Sequence, residues 1–166
     1  MDYKSLANKY RPSVIKTLLV GEAPPPAGKS YFYLPCQMSR ASLENDTSLP
    51  ATIFGHYFGR KPDDQEEYVT YLESLKEMGI FLIDIVERAI QIRDRKSPTG
   101  INEENLVMLI DTIPTLKRRI TQKGIDVDEG NIIFLLPRNH YRKQLKTHFP
   151  NSTLVRWKEF RMSHSS

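Results

Sequence analysis

Val14-Ile15-Lys16-Thr17-Leu18-Leu19-Val20-Gly21-Glu22-Ala23-Pro24 is the stretch that decides the fold of this chain. From Val14 to Val20 it is apolar and β-branched, the composition of a strand buried on both faces in the middle of a parallel sheet. Pro12 stops a helix from running into it. Gly21 ends it, and the proline-rich run from Glu22 to Ser30 reads as a loop that delivers the aromatic stretch Tyr31-Phe32-Tyr33.

Outward from this strand, helical and extended patterns alternate. Asp63 to Met78 predicts a helix: Tyr68, Tyr71, Leu72 and Leu75 recur at spacings of three and four, acidic residues favour its start, and Gly79 closes it. Ile80 to Ile83 predicts a second strand. Asn102 is a good N-cap for a helix running through Leu106, Leu109 and Ile110 towards Ile120, with a kink or break expected at Pro114. Asn131 to Leu136 predicts a third strand, followed by a basic helix to about Thr147 with Asn139 placed as its N-cap. Thr153 to Trp157 predicts a short fourth strand. Strands alternating with helices argue for an α/β domain with a mostly parallel sheet, and 166 residues suit one domain spanning 1–166.

In such sheets the ligand site lies beyond the carboxyl ends of the strands. Those ends are the loop from Glu22, the region of Asp84, the turn Arg138-Asn139-His140, and the tail near His164. The unusual residues of the chain gather at these four places.

The charge is uneven. The net charge is +4, yet from Lys117 onward eleven basic residues face only four acidic ones. A basic face suits a polyanion such as nucleic acid, and it equally suits a solvated surface. No apolar run is long enough to span a membrane. Cys36, the lone cysteine, can form no internal disulfide, so a reducing, cytoplasmic setting is expected, with a monomer as the expected state. His56 and His148 have no partners at ligand spacing, so neither is given a metal role and no metal is expected; no cofactor is expected either. Gly28-Lys29-Ser30 copies the end of a nucleotide-binding P-loop, but position 23 is Ala where the first glycine belongs. Pro24, Pro25 and Pro26 also have no N–H to offer a phosphate.

Leu18-Leu19-Val20-Gly21-Glu22-Ala23-Pro24 resembles the first motif of the uracil-DNA glycosylase superfamily, in its Gly-Glu-Ala-Pro branch. The resemblance implies a three-layer α/β sandwich around a four-stranded sheet. It also implies a DNA-base glycosylase-like protein that hydrolyses the N-glycosidic bond of a deaminated or damaged base. A non-catalytic member of the same fold that binds nucleic acid or a nucleotide is the alternative.

Residue by residue, the resemblance gives Glu22 the task of orienting water, unless its carboxylate merely caps backbone N–H groups in the turn. Tyr31 and Phe32 become candidates to stack on an extruded base, with Tyr31 and Tyr33 sharing one face of an extended segment and Phe32 the other. Asp84 stands where the family has the Asn that reads the uracil edge. An ionised Asp accepts only, so it suits an amino-bearing base, unless burial protonates it or it caps a helix. His164 is the candidate to stabilise the leaving base, or belongs to a fraying tail. Lys29, Arg138, Asn139, His140 and Lys143 are candidate nucleic-acid contacts, with the start of the basic helix as a phosphate site.

Overall fold

The computed structural model describes residues 2–26 and 30–164. Its sheet has four strands, β1 (Thr17–Gly21), β2 (Ile80–Asp84), β3 (Ile132–Leu136) and β4 (Thr153–Arg156), in the order β2-β1-β3-β4. All three ladders are parallel, so the sheet is more uniform than the mostly parallel one expected. The register sets Gly21 beside Asp84 and Leu136 beside Arg156, which aligns the carboxyl ends in one row.

The connections are helical. α1 (Tyr3–Lys9) precedes the sheet. α2 (Leu49–Phe58) and α3 (Gln65–Glu77) link β1 to β2, α4 (Glu103–Gln122) links β2 to β3, α5 (Arg142–His148) links β3 to β4, and α6 (Trp157–Arg161) follows β4. The step from β1 to β2 runs one way across the sheet and the later steps run the other. With right-handed crossovers, α2 and α3 therefore cover one face while α4 and α5 cover the other. The buried side chains form one connected core through the sheet. No helix among the described residues is long and apolar enough to cross a membrane.

Two expectations are corrected. Of the kink or break expected at Pro114, the break is absent: α4 runs through it as one helix. Pro114 lies on the exposed side, where the carbonyl it leaves unpaired can reach water, while Leu109, Ile113 and Leu116 stay fully buried on the other side. The segment after β4 is not a loose tail either: it folds directly into α6 and packs on α2.

That packing depends on Gly55. A Cβ there would lie 2.7 Å from the Arg161 carbonyl oxygen and 2.9 Å from Arg161 Cγ. Gly55→Ala gains about 1 kcal/mol of helix propensity. It loses more by pushing α6 off its seat, since overpacking costs roughly 1–3 kcal/mol. The expected net result is a loss of up to about 2 kcal/mol, read as a lower denaturant midpoint at unchanged slope. An unchanged midpoint would show that α6 can shift freely.

Candidate nucleic-acid and base site

The sheet order creates the site. Because the chain leaves β1 towards β2 and later returns to the other side of β1 as β3, the connections diverge. A crevice opens beyond the ends of β1 and β3. Glu22 follows β1 directly, and Arg138 lies just past β3. They meet across this crevice. Arg138 Nε donates to Glu22 Oε2 at 2.9 Å and Nη2 donates to Oε1 at 3.3 Å. The buried Tyr141 hydroxyl also donates to Oε2, and burial, then the Glu22 charge, hold that phenol well above its ordinary pKa. Glu22 is thus satisfied by side chains rather than by turn N–H groups. A carboxylate offers about four acceptor positions, so three donors leave one open for water.

On one side of Glu22 lies a cavity of about 310 Å³, walled by Pro24, Tyr31, Phe32, Leu49, Asp84 and Trp157 among others. Its aromatic wall is not an extended segment. Residues 31–34 make a turn closed by the Leu34 N–H on the Tyr31 carbonyl at 3.0 Å. The turn gives the three rings separate tasks. Tyr33 is buried, and its oxygen accepts the Leu82 N–H at 2.8 Å, satisfying a backbone donor of the edge strand β2. The Phe32 carbonyl accepts the Tyr68 hydroxyl at 2.6 Å, and its ring packs on Phe54. Tyr31 packs on Tyr3, and its hydroxyl donates to the Tyr3 carbonyl at 3.3 Å.

Asp84 ends β2 and faces the same cavity. Gly21 makes room for it: a Cβ at position 21 would come within 2.8 Å of Asp84 Oδ1. The nearest cation, Arg119 of α4, is spent elsewhere. Its guanidinium donates to the Asp84 backbone carbonyl at 3.0 Å and to the Ile85 carbonyl, and it pairs with Glu87 at 3.2 Å. Among the described residues no side chain donates to the Asp84 carboxyl. Burial above all, then the charges of Glu22 and Glu87, push its pKa up to about 7 against the pull of Arg119. A second cavity of about 210 Å³ reaches Asp84 and Tyr31 from the side of α1.

On the other side of Glu22 runs an open groove of about 1310 Å³. Arg93, Arg138, Arg142, Arg156, Lys158 and Arg161 line it, with only Glu22 and Glu159 as acidic counterparts. Arg161 is 3% exposed and has no carboxylate partner among the described residues, and its Nε finds no acceptor. Beyond Asn139 the surface continues into a hollow lined by Lys143 and Lys146.

The structure therefore brings Glu22, Tyr31, Phe32 and Asp84 to one cavity, and Arg138 and Asn139 to the adjoining groove. Lys143 lies in the neighbouring hollow, and His140 is exposed in the turn before α5. Asn139 does not cap α5 with its side chain. The helix starts only at Arg142, after a turn in which the Asn139 carbonyl accepts the Arg142 N–H at 3.2 Å. The start of α5 carries no side-chain cap, and Arg138 and Arg142 lie beside it in the groove. Lys29 lies outside the described residues. His164 is not at the cavity: its Nδ1 sits 2.9 Å from the His56 carbonyl, against Gly59 at the end of α2.

Reading the sequence missed Arg93, Tyr141, Arg156, Trp157, Lys158 and Arg161. The excess of positive charge after Lys117 was the only sign of Arg156, Lys158 and Arg161. No protein-family model matches the chain, and neither a curated protein nor a solved structure is significantly similar to it.

Proposed function

We propose that this protein is a DNA-base glycosylase-like hydrolase that draws one deaminated or damaged base into the small cavity while the groove holds the flanking phosphates. The observation that carries this reading is the position of Glu22, whose side chain lines both spaces. A nucleotide bound with its base in one and its phosphates in the other sets its sugar, and so its N-glycosidic bond, beside that carboxylate. Glu22 then holds a water against the sugar carbon. The water oxygen bonds to that carbon, the carbon–nitrogen bond breaks, the base leaves with the electron pair, and the water proton passes to Glu22. Arg138 holds the carboxylate in place through its two hydrogen bonds. The lone Cys36, whose thiol burial pushes up, suits a reducing cytoplasmic setting, and a monomer belongs to the same reading.

Binding without catalysis is the second reading. It is favoured by the three hydrogen bonds Glu22 already accepts and by the seat of His164 away from the cavity.

The test is base release from oligonucleotides carrying uracil, hypoxanthine or xanthine. Glu22→Gln keeps the shape and an acceptor for Arg138 but cannot take a proton, and is expected to slow release about a hundredfold. Binding without release in the wild type selects the second reading. Neither binding nor release sinks both.

A further inference from the structure

Asp84 is a chemical oddity within this site. It is the one carboxyl aimed into an aromatic cavity without a donor among the described residues, while the arginine beside it is engaged with backbone carbonyls. Its neighbours come from every side. Glu22 lies past β1, Glu87 follows β2, and Arg119 reaches in from α4. Tyr31 and Tyr33 face it as neutral phenols, since burial raises both well above their ordinary range. Across the second cavity stand Lys4, Arg11 and Lys123. Of these, Arg11 donates to the Lys123 carbonyl at 2.6 Å, and Lys123 pairs with Glu87 at 2.6 Å. Glu22 and Glu87 press on Asp84, Arg119 pulls against them, and no side chain among the described residues donates to its carboxyl.

We infer that Asp84 reads the bound base as a carboxylic acid, selecting bases that carry a carbonyl next to a ring N–H, and that ionisation switches this selection off. The inference rests on the cavity being a base pocket. Protonated, the group sets one O–H donor beside one acceptor, the pair that such an edge needs. Ionised, it only accepts, so it repels the carbonyl and tolerates an exocyclic amine. The departure from Asn at this position then changes the pH range of recognition rather than the class of base.

Trp157, the only tryptophan, lines the cavity and gives an intrinsic fluorescence signal. The wild type and Asp84→Asn are titrated with two single-stranded oligonucleotides that differ only in one central deoxyuridine or deoxycytidine, at pH 6 and at pH 8.5. The cytidine strand cancels pH effects on the groove. The wild-type preference for uridine is expected to fall at least tenfold between the two values, as one hydrogen bond is lost and two acceptors are set face to face. Asp84→Asn should hold its preference at both. Equal pH dependence in both proteins, or a wild-type preference that does not move, overturns the inference while leaving nucleic-acid binding in place. Failure of both strands to bind removes the base-pocket reading itself. Independently of any ligand, the infrared C=O stretch of a protonated carboxyl should be present in the wild type at pH 6, absent at pH 8.5, and absent from Asp84→Asn at both. Its absence at pH 6 also overturns the inference.

Discussion

At pH 8 the Asp84→Asn protein is expected to be more stable than the wild type by ~2–4 kcal/mol, an advantage that vanishes near pH 4. In the folded protein Asp84 titrates at about 7, chiefly because burial opposes its charge, whereas in the unfolded chain it titrates near 3.9. Between these values the folded state holds a proton that the unfolded state has released. Stability therefore falls as pH rises through this window. Above pH 7 the whole cost of ionising the group inside the fold is present, ~4 kcal/mol at most and less where water enters through the cavity. Asparagine cannot ionise and escapes it. For a chain of this size, on the order of 10 °C in Tm should separate the two proteins at pH 8, shrinking steadily towards pH 4. A difference that is constant with pH would mean that the substitution acts by packing or hydrogen bonding alone. The prediction also bears on function, because a destabilised group retained in a cavity is the usual mark of a site that trades stability for activity.

The fold was legible to the extent that burial leaves a pattern in the chain. β1, β2 and β3 are covered on both faces and so read as continuous apolar runs, and α3 and α4 show their periods because one face of each stays wet. α2 escaped because Pro50 to Gly55 are all buried, which leaves no polar face to mark a helical period. Only Ser48, which caps it by accepting the Ala51 N–H, and Pro50 in its first turn betray it. α6 is too short to carry a period at all. Pro114 does not end α4 because it stands on the solvent side, where water can reach the carbonyl it leaves unpaired.

The site divides the same way. Glu22, Asp84 and Arg138 were readable as residues at strand ends, since a parallel sheet sends all such ends to one edge. The contact between Tyr141 and Glu22 spans 119 positions and has no local signature. The same holds for Arg93, which joins the groove from the loop before α4. His164 sits at a strand end in sequence terms, but α6 intervenes and carries it towards α2.

Replacing Arg93, Arg142 and Lys158 together by serine is expected to weaken binding of a single-stranded oligonucleotide by roughly 10²–10³-fold at about 50 mM salt. All three line the groove, and none has an ion-pair partner among the described residues. Their loss should leave the unfolding midpoint near its wild-type value, which separates a binding defect from a folding one. Each phosphate neutralised on a single strand contributes about 0.7 to the slope of log affinity against log salt. The triple variant should therefore lose about 2 from that slope as well as its affinity. The two quantities must fall together, because both measure counterions released from the same phosphates. An affinity that drops with an unchanged slope would mean that the three residues shape the groove without touching the backbone. An unchanged affinity would confine anion binding to the deeper pair, Arg138 and Arg161, and point to a single phosphate rather than a strand. Arg161 is kept in this variant because it is buried where α6 packs on α2, and its removal would unsettle the packing on Gly55 and obscure the result. The uridine preference conferred by Asp84 should survive the triple substitution at reduced overall affinity, since phosphate contacts position the strand and the cavity alone reads the base.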